Sequence, residues 1–78
     1  MIKIGIVEDN NTLRNSLVNL FNETEGMRCV LSQSNLRNIV SELGKEQPDI
    51  VLMDIGLPDI SGIEGVRTIK SNFQRIQV

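Results

Sequence analysis

One stretch limits what this chain can fold into more than any other: Ile50-Val51-Leu52-Met53-Asp54-Ile55-Gly56-Leu57-Pro58-Asp59-Ile60-Ser61-Gly62. It begins as a wholly apolar run and breaks at a carboxylate. Four apolar residues between turn signals fit a strand buried on both faces, the setting of a parallel sheet. Asp54 then stands where that strand leaves the sheet. In open parallel α/β sheets, ligands bind outside the carboxyl ends of the strands, so a rigid element would present Asp54 to a crevice. Taken alone, a strand-end aspartate fits a simple turn cap better. The argument for more comes from the other end of the chain.

Ile2-Lys3-Ile4-Gly5-Ile6-Val7 is β-branched and apolar apart from one Lys and one Gly. It reads as a first, central strand, closed by the acidic loop Glu8-Asp9-Asn10-Asn11. Leu13, Leu17, Leu20 and Phe21 then recur at helical spacing, with Val18 beside them. Asn10 or Asn11 serves as N-cap and Gly26 as a left-handed stop. Arg28-Cys29-Val30-Leu31 reads as a second, shorter strand, placed at a sheet edge by its polar flanks. Leu36, Ile39, Val40 and Leu43 predict a second amphipathic helix, closed by Gly44. Lys45-Glu46-Gln47-Pro48-Asp49 follows as a polar turn, because Pro48 cannot continue a helix. Ser61-Gly62-Ile63-Glu64 matches a capping box, and Ile63, Val66, Ile69 and Phe73 line one face of a third helix. Ile76-Gln77-Val78 reads as the opening of a fourth strand.

The order βαβαβα plus a stub implies a doubly wound α/β parallel sheet with right-handed crossovers. With the first strand central, the strand order is 2-1-3. The reversal of direction creates a switch point between strands one and three. Glu8-Asp9 closes strand one and Asp54 closes strand three, so three carboxylates are expected to converge there.

Composition removes several alternatives. A chain of 78 residues holds one domain at most and buries only about 60–65% of its unfolded surface. Cys29 is the single cysteine, so no disulfide forms within the chain. With no histidine to act as its base, Cys29 reads as a small buried hydrophobe and not as a nucleophile. A net charge of −2 leaves no basic footprint for nucleic acid. No apolar run has the length of a membrane span and none has the form of a signal peptide, so the expected location is the cytoplasm.

Crowded carboxylates repel one another until a cation neutralises them. An all-oxygen donor set without His or Cys suits a hard ion, and Mg²⁺ accepts one or two carboxylates, a carbonyl and a phosphate oxygen while keeping waters. Mg²⁺ beside an aspartate suggests phosphoryl chemistry, with the carboxylate as nucleophile.

Three segments together carry a family likeness. Ile4-Gly5-Ile6-Val7-Glu8-Asp9-Asn10, Pro48-Asp49-Ile50-Val51-Leu52-Met53-Asp54, and Asp54-x-x-Leu57-Pro58-x-x-Ser61-Gly62 resemble the receiver domains of bacterial two-component response regulators. The resemblance implies a flavodoxin-like fold and an Asp54 that accepts a phosphoryl group from a phosphohistidine on a partner kinase. It further implies Mg²⁺ held by Asp9, by Glu8 through water, by Asp54 and by the backbone carbonyl of Gly56. The stretch Asp54-Ile55-Gly56-Leu57-Pro58-Asp59-Ile60-Ser61-Gly62, with Ser61 where many receivers carry Asp or Asn, is similar to the subgroup joined to a helix-turn-helix DNA-binding output domain, which implies control of transcription.

The likeness covers only part of a receiver, which has five βα units, a switch Ser or Thr closing strand four and a Lys closing strand five. Lys45 and Lys70, expected in a turn and on a helix, do not replace that Lys. Residues 1–78 are therefore expected to form a partial receiver domain, truncated after the third βα unit, that binds Mg²⁺ weakly and does not switch. An unpaired third strand predicts self-association, as in a swapped dimer. Contact with DNA would run only through a missing output domain. Two rival readings are enzymatic. An aspartate-nucleophile phosphatase needs an acid two residues past the nucleophile, where Gly56 stands, and a dinucleotide fold needs glycines where Glu8-Asp9-Asn10-Asn11 would repel a pyrophosphate. A third is a receiver-like interaction module that is never phosphorylated.

Overall fold

The structure is a computed structural model that describes residues 1–53 and 62–78. Its organising strand is β1 (Ile2–Val7), which runs between β2 (Met27–Gln33) and β3 (Ile50–Met53) in a sheet of order β2-β1-β3. Both pairs are parallel, so the expected 2-1-3 order, with β2 at an edge, is the one observed. Alternation along β1 sends Ile4 and Ile6 to one face and Val7 to the other. All three are buried, which is why an apolar, β-branched segment takes the central place. The β1–β2 register slips by one residue, since Ile4 faces Cys29 while Gly5 faces Leu31, leaving Val30 as the extra residue. β2 extends two residues beyond the predicted strand, because its polar end, Ser32-Gln33, still pairs with Ile6 and Val7.

Each βα connection has its own stop signal. Helix α1 (Asn11–Glu23) starts at Asn10, whose side chain accepts from the Leu13 N–H at 2.9 Å. It ends at an extended Thr24, and Gly26 (φ 83°) occupies the following turn, closed by the Met27 N–H on the Thr24 carbonyl at 3.1 Å. Helix α2 spans Ile39–Glu46, so Leu36 precedes it and Gly44 lies inside it. Its stop is Gln47, left-handed at φ 47°, with its N–H on the Leu43 carbonyl. Pro48 disfavours right-handed helix at the residue before it, which moves the end three residues past the predicted glycine. Lys45 accordingly lies on the last helical turn, 3.7 Å from Glu42.

Helix α3 (Gly62–Asn72) buries Gly65 and Ile69 and half-buries Val66, whereas Ile63, predicted to face inward, is 69% exposed. The inward stripe is shifted by the close approach at Gly65, where a Cβ would lie 2.8 Å from Met53 Sδ and 2.9 Å from Leu36 Cδ1. From the last turn of α3, Lys70 Nζ donates to the carbonyls of Gln74 (2.8 Å) and Ile76 (2.7 Å) that follow the helix. The chain then forms a parallel bridge between Gln77 and Ile50, the predicted opening of a fourth strand.

The main core lies on one face of the sheet, where Val7, Leu31, Leu36, Ile39, Leu43, Val51, Ile69 and Ile76 pack together. Helices α2 and α3 cover that face and touch each other, while α1 packs on β1 and β2. No residue of α1 is buried. At the amino ends of the strands, the Asp49 N–H donates to the Lys3 carbonyl and the Lys3 N–H donates to Asp49 Oδ2, both at 2.8 Å. No described helix is long and apolar enough to cross a membrane.

Candidate functional site

The carboxyl ends of the strands come together because β1 and β3 share a register that pairs Val7 with Met53. Glu8 follows Val7, and its N–H donates to the Gln33 carbonyl at 2.9 Å, carrying the β1–β2 pairing one residue beyond the strand. Its half-buried side chain turns back, and Oε1 accepts from the Asn10 N–H at 3.3 Å. Asp9 is exposed at the tip. Its carboxylate makes no hydrogen bond or ion pair with any described residue, so its oxygens face solvent at the end of the central strand.

The loop beneath the two carboxylates is tied at several points. Asn10 caps α1 through its side chain, and its carbonyl accepts from the Arg14 N–H at 2.9 Å. Arg14 reaches back from the first turn of α1. Its Nη1 donates to the Glu8 carbonyl at 2.7 Å and its Nη2 to Asn11 Oδ1 at 2.6 Å. The nearby cation is thus engaged with a main-chain oxygen and an amide, not with either carboxylate. Beside Glu8, the walls of a shallow depression are apolar: Ile6, Val7, Leu17, Leu52 and Met53.

Glu8 and Asp9 lie side by side, as their spacing predicts. Asp54 and Gly56 lie outside the described residues, as do Leu57, Pro58 and the Ser61 half of the capping box. Among the described residues no three metal-ligating side chains cluster. The donors that are present fit a hard divalent ion, since both are carboxylates and one has no partner among the described residues. Sequence reasoning gave no role to Arg14 or Asp49. Arg14 lies on the first turn of α1 and Asp49 at the end of a turn, and only the folded backbone shows which carbonyl or N–H each one meets.

Cys29 is half-buried and donates to the Leu31 carbonyl at 3.3 Å. Burial raises its thiol pKa, and the backbone of Leu31 offsets this only in part. A thiol held in its neutral form is a poor nucleophile, consistent with the reading of Cys29 as a packing residue.

Known proteins resemble this chain in sequence and fold. A family model described as the response regulator receiver domain matches residues 4–78. The transcriptional regulatory protein LnrK of Bacillus subtilis is 33% identical over 78 residues, covering 100% of this chain and 36% of the relative. Response regulator GacA of Pseudomonas aeruginosa is 32% identical over 79 residues, again covering 100% of this chain and 36% of the relative. The chain therefore spans about a third of the length of these relatives. Among solved structures, the anti-anti-sigma factor PhyR from Bartonella quintana is similar in fold, with a TM-score of 0.79 at 25% identity, over 97% of this chain and 31% of that one. With a flavodoxin-like 2-1-3 sheet, an acidic pair at the tip of its central strand and a family match over nearly its full length, this chain belongs to the response regulator receiver domain family.

Proposed function

We propose that this chain is the phosphoacceptor part of a two-component response regulator. It would take a phosphoryl group from a phosphohistidine of a sensor histidine kinase onto Asp54. A carboxylate oxygen of Asp54 forms the new O–P bond as the P–N bond to the donor imidazole breaks, and the imidazole keeps the electron pair and takes up a proton. The observation that carries this reading is the position of Glu8 and Asp9. They close the central strand, and Met53, the residue before Asp54, stands beside Val7, the residue before Glu8.

In this reading Glu8, Asp9, Asp54 and the backbone carbonyl of Gly56 hold Mg²⁺. When bound, the ion neutralises negative charge on the transferring phosphoryl oxygens. The chain's own contribution is to hold the acidic pair on a buried strand end and to keep the Arg14 guanidinium on the Glu8 carbonyl and the Asn11 side chain. The segment is a partial receiver domain in the cytoplasm of a longer regulator. Its output is control of transcription, in keeping with the name of the Bacillus subtilis transcriptional regulatory protein LnrK, and contact with DNA would run through a domain outside these residues.

Incubation with acetyl phosphate and Mg²⁺, followed by intact-mass measurement, tests the reading. The expected result is a gain of one phosphoryl group, absent in Asp54→Ala and slowed by about 10²-fold in Asp9→Asn, on the scale of losing one group that stabilises transition-state charge. A chain that gains nothing while still binding a partner kinase would instead be an unphosphorylated interaction module.

A further inference from the structure

The acidic pair is displayed by the three-residue loop Glu8-Asp9-Asn10, and the structure shows what holds that loop in place. Glu8 has both main-chain groups engaged, the N–H on Gln33 and the carbonyl on Arg14 Nη1. Asn10 has its N–H on Glu8 Oε1, its side-chain oxygen on the Leu13 N–H and its carbonyl on the Arg14 N–H. Arg14 takes part twice, through its backbone and through a planar fork whose second arm holds Asn11 Oδ1 at 2.6 Å. The contact to Glu8 is half-buried, where a hydrogen bond from a charged donor is worth more than at the surface. A guanidinium suits this task because its fixed fork meets two acceptors at once, which a lysine ammonium on a flexible stem does less well.

We propose that Arg14 is a positioning residue. By clamping the Glu8 carbonyl and the Asn11 side chain together, it fixes the β1–α1 loop in the conformation that presents the Glu8 and Asp9 carboxylates to a divalent cation. This rests on the metal-site reading of the preceding section. It goes beyond that reading by assigning the site a supporting residue that touches no cation.

The sign of one measurement separates positioning from simple electrostatics. Arg14 is a positive charge close to a cation site, so removing it weakens Coulomb repulsion and by itself tightens Mg²⁺ binding. Removing a support loosens the donors, and loss of a group that orients metal ligands costs about 10–100-fold in affinity. The experiment is a Mg²⁺ titration of the chain and of Arg14→Ala and Arg14→Lys, followed by the amide NMR signals of Glu8, Asp9 and Asn10. The expected result is affinity about tenfold weaker in Arg14→Ala, with partial recovery in Arg14→Lys, which restores the charge and one donor. In metal-free protein, the Asn10 and Leu13 amides should exchange faster with solvent in Arg14→Ala, while the amides of β2 and α2 keep wild-type exchange.

Equal or tighter Mg²⁺ binding by Arg14→Ala overturns the proposal. So does a loss of protection spread evenly over the molecule, because that marks a general stability role. If the unmodified chain shows no Mg²⁺-dependent shift, the metal-site reading itself fails and takes this inference with it. If the unmodified chain binds and both variants bind as well as it does, only the role of Arg14 is lost.

Discussion

Asp49 shows what a single residue can hide from sequence. Next to Pro48 it looks like an ordinary turn residue, yet it exchanges two hydrogen bonds with the backbone of Lys3 and accepts a third, from the Gln77 N–H at 3.0 Å, on its carbonyl. Its side chain satisfies an N–H at the start of the central strand, and its main chain joins that strand to the fourth-strand stub. Asp49→Ala removes only the side-chain bond, for an expected loss of about 0.5–1.5 kcal/mol. Asp49→Asn, which keeps an acceptor oxygen, should lose less. Urea unfolding followed by circular dichroism checks this, and equal losses in the two variants would remove the hydrogen bond as the cause. Asn10 is the opposite case. Its residue type and its place before an apolar helical pattern make it a readable N-cap, because capping depends on local geometry alone. Asp49 and Arg14 act across 46 and 6 positions in sequence, and no local pattern carries that information.

At the scale of elements, apolar spacing locates every helix and strand but misplaces some ends and faces. The start and stop of α2 are set by left-handed Asn38 (φ 57°) and Gln47 (φ 47°); asparagine tolerates that conformation better than other non-glycine types, but the type of Gln47 does not announce it. The buried stripe of α3 is set by how closely the helix meets Met53 and Leu36, a tertiary constraint invisible to periodicity. Two of the helical glycines, Gly44 and Gly65, turn this into a prediction. Alanine is favoured over glycine in a helix interior by about 0.8–1 kcal/mol. At Gly44 nothing lies within 4 Å of an added Cβ, so Gly44→Ala is expected to gain most of that. At Gly65 the new methyl meets Met53 Sδ at 2.8 Å and Leu36 Cδ1 at 2.9 Å. Overpacking costs about 1–3 kcal/mol, so Gly65→Ala is expected to be neutral or destabilising. Thermal melts of the two variants compare the same chemical change in two surroundings. Equal shifts would mean that α3 does not approach the sheet this closely.

For the molecule as a whole, the topology was legible because alternating elements and a doubly apolar third strand allow few arrangements. What the sequence could not show is how unevenly the two faces of the sheet are covered. One face carries two helices and the whole buried cluster. The other carries α1, whose Leu13 and Leu20 are 47% and 55% exposed, and Leu52 of β3 is 38% exposed beside it. Leu13, Leu17 and Leu20 recur at steps of four and three along α1, so they form one stripe, and Leu17 and Leu52 share the walls of the depression next to Glu8. The outer edge of β3 is paired, among the described residues, only at its start, through Gln77. An apolar stripe beside an open strand edge favours association with another chain, and a net charge of −2 opposes it only weakly. The 78-residue chain is therefore expected to self-associate, with a mass by light scattering that rises with concentration. Leu13→Glu with Leu20→Glu should return it to monomer without lowering its melting temperature, because neither side chain is in the core. A monomer at all concentrations would remove the expectation. A double variant that unfolds would show instead that the stripe supports the fold of each single copy, and that α1 holds to the sheet through those leucines more tightly than their exposure implies.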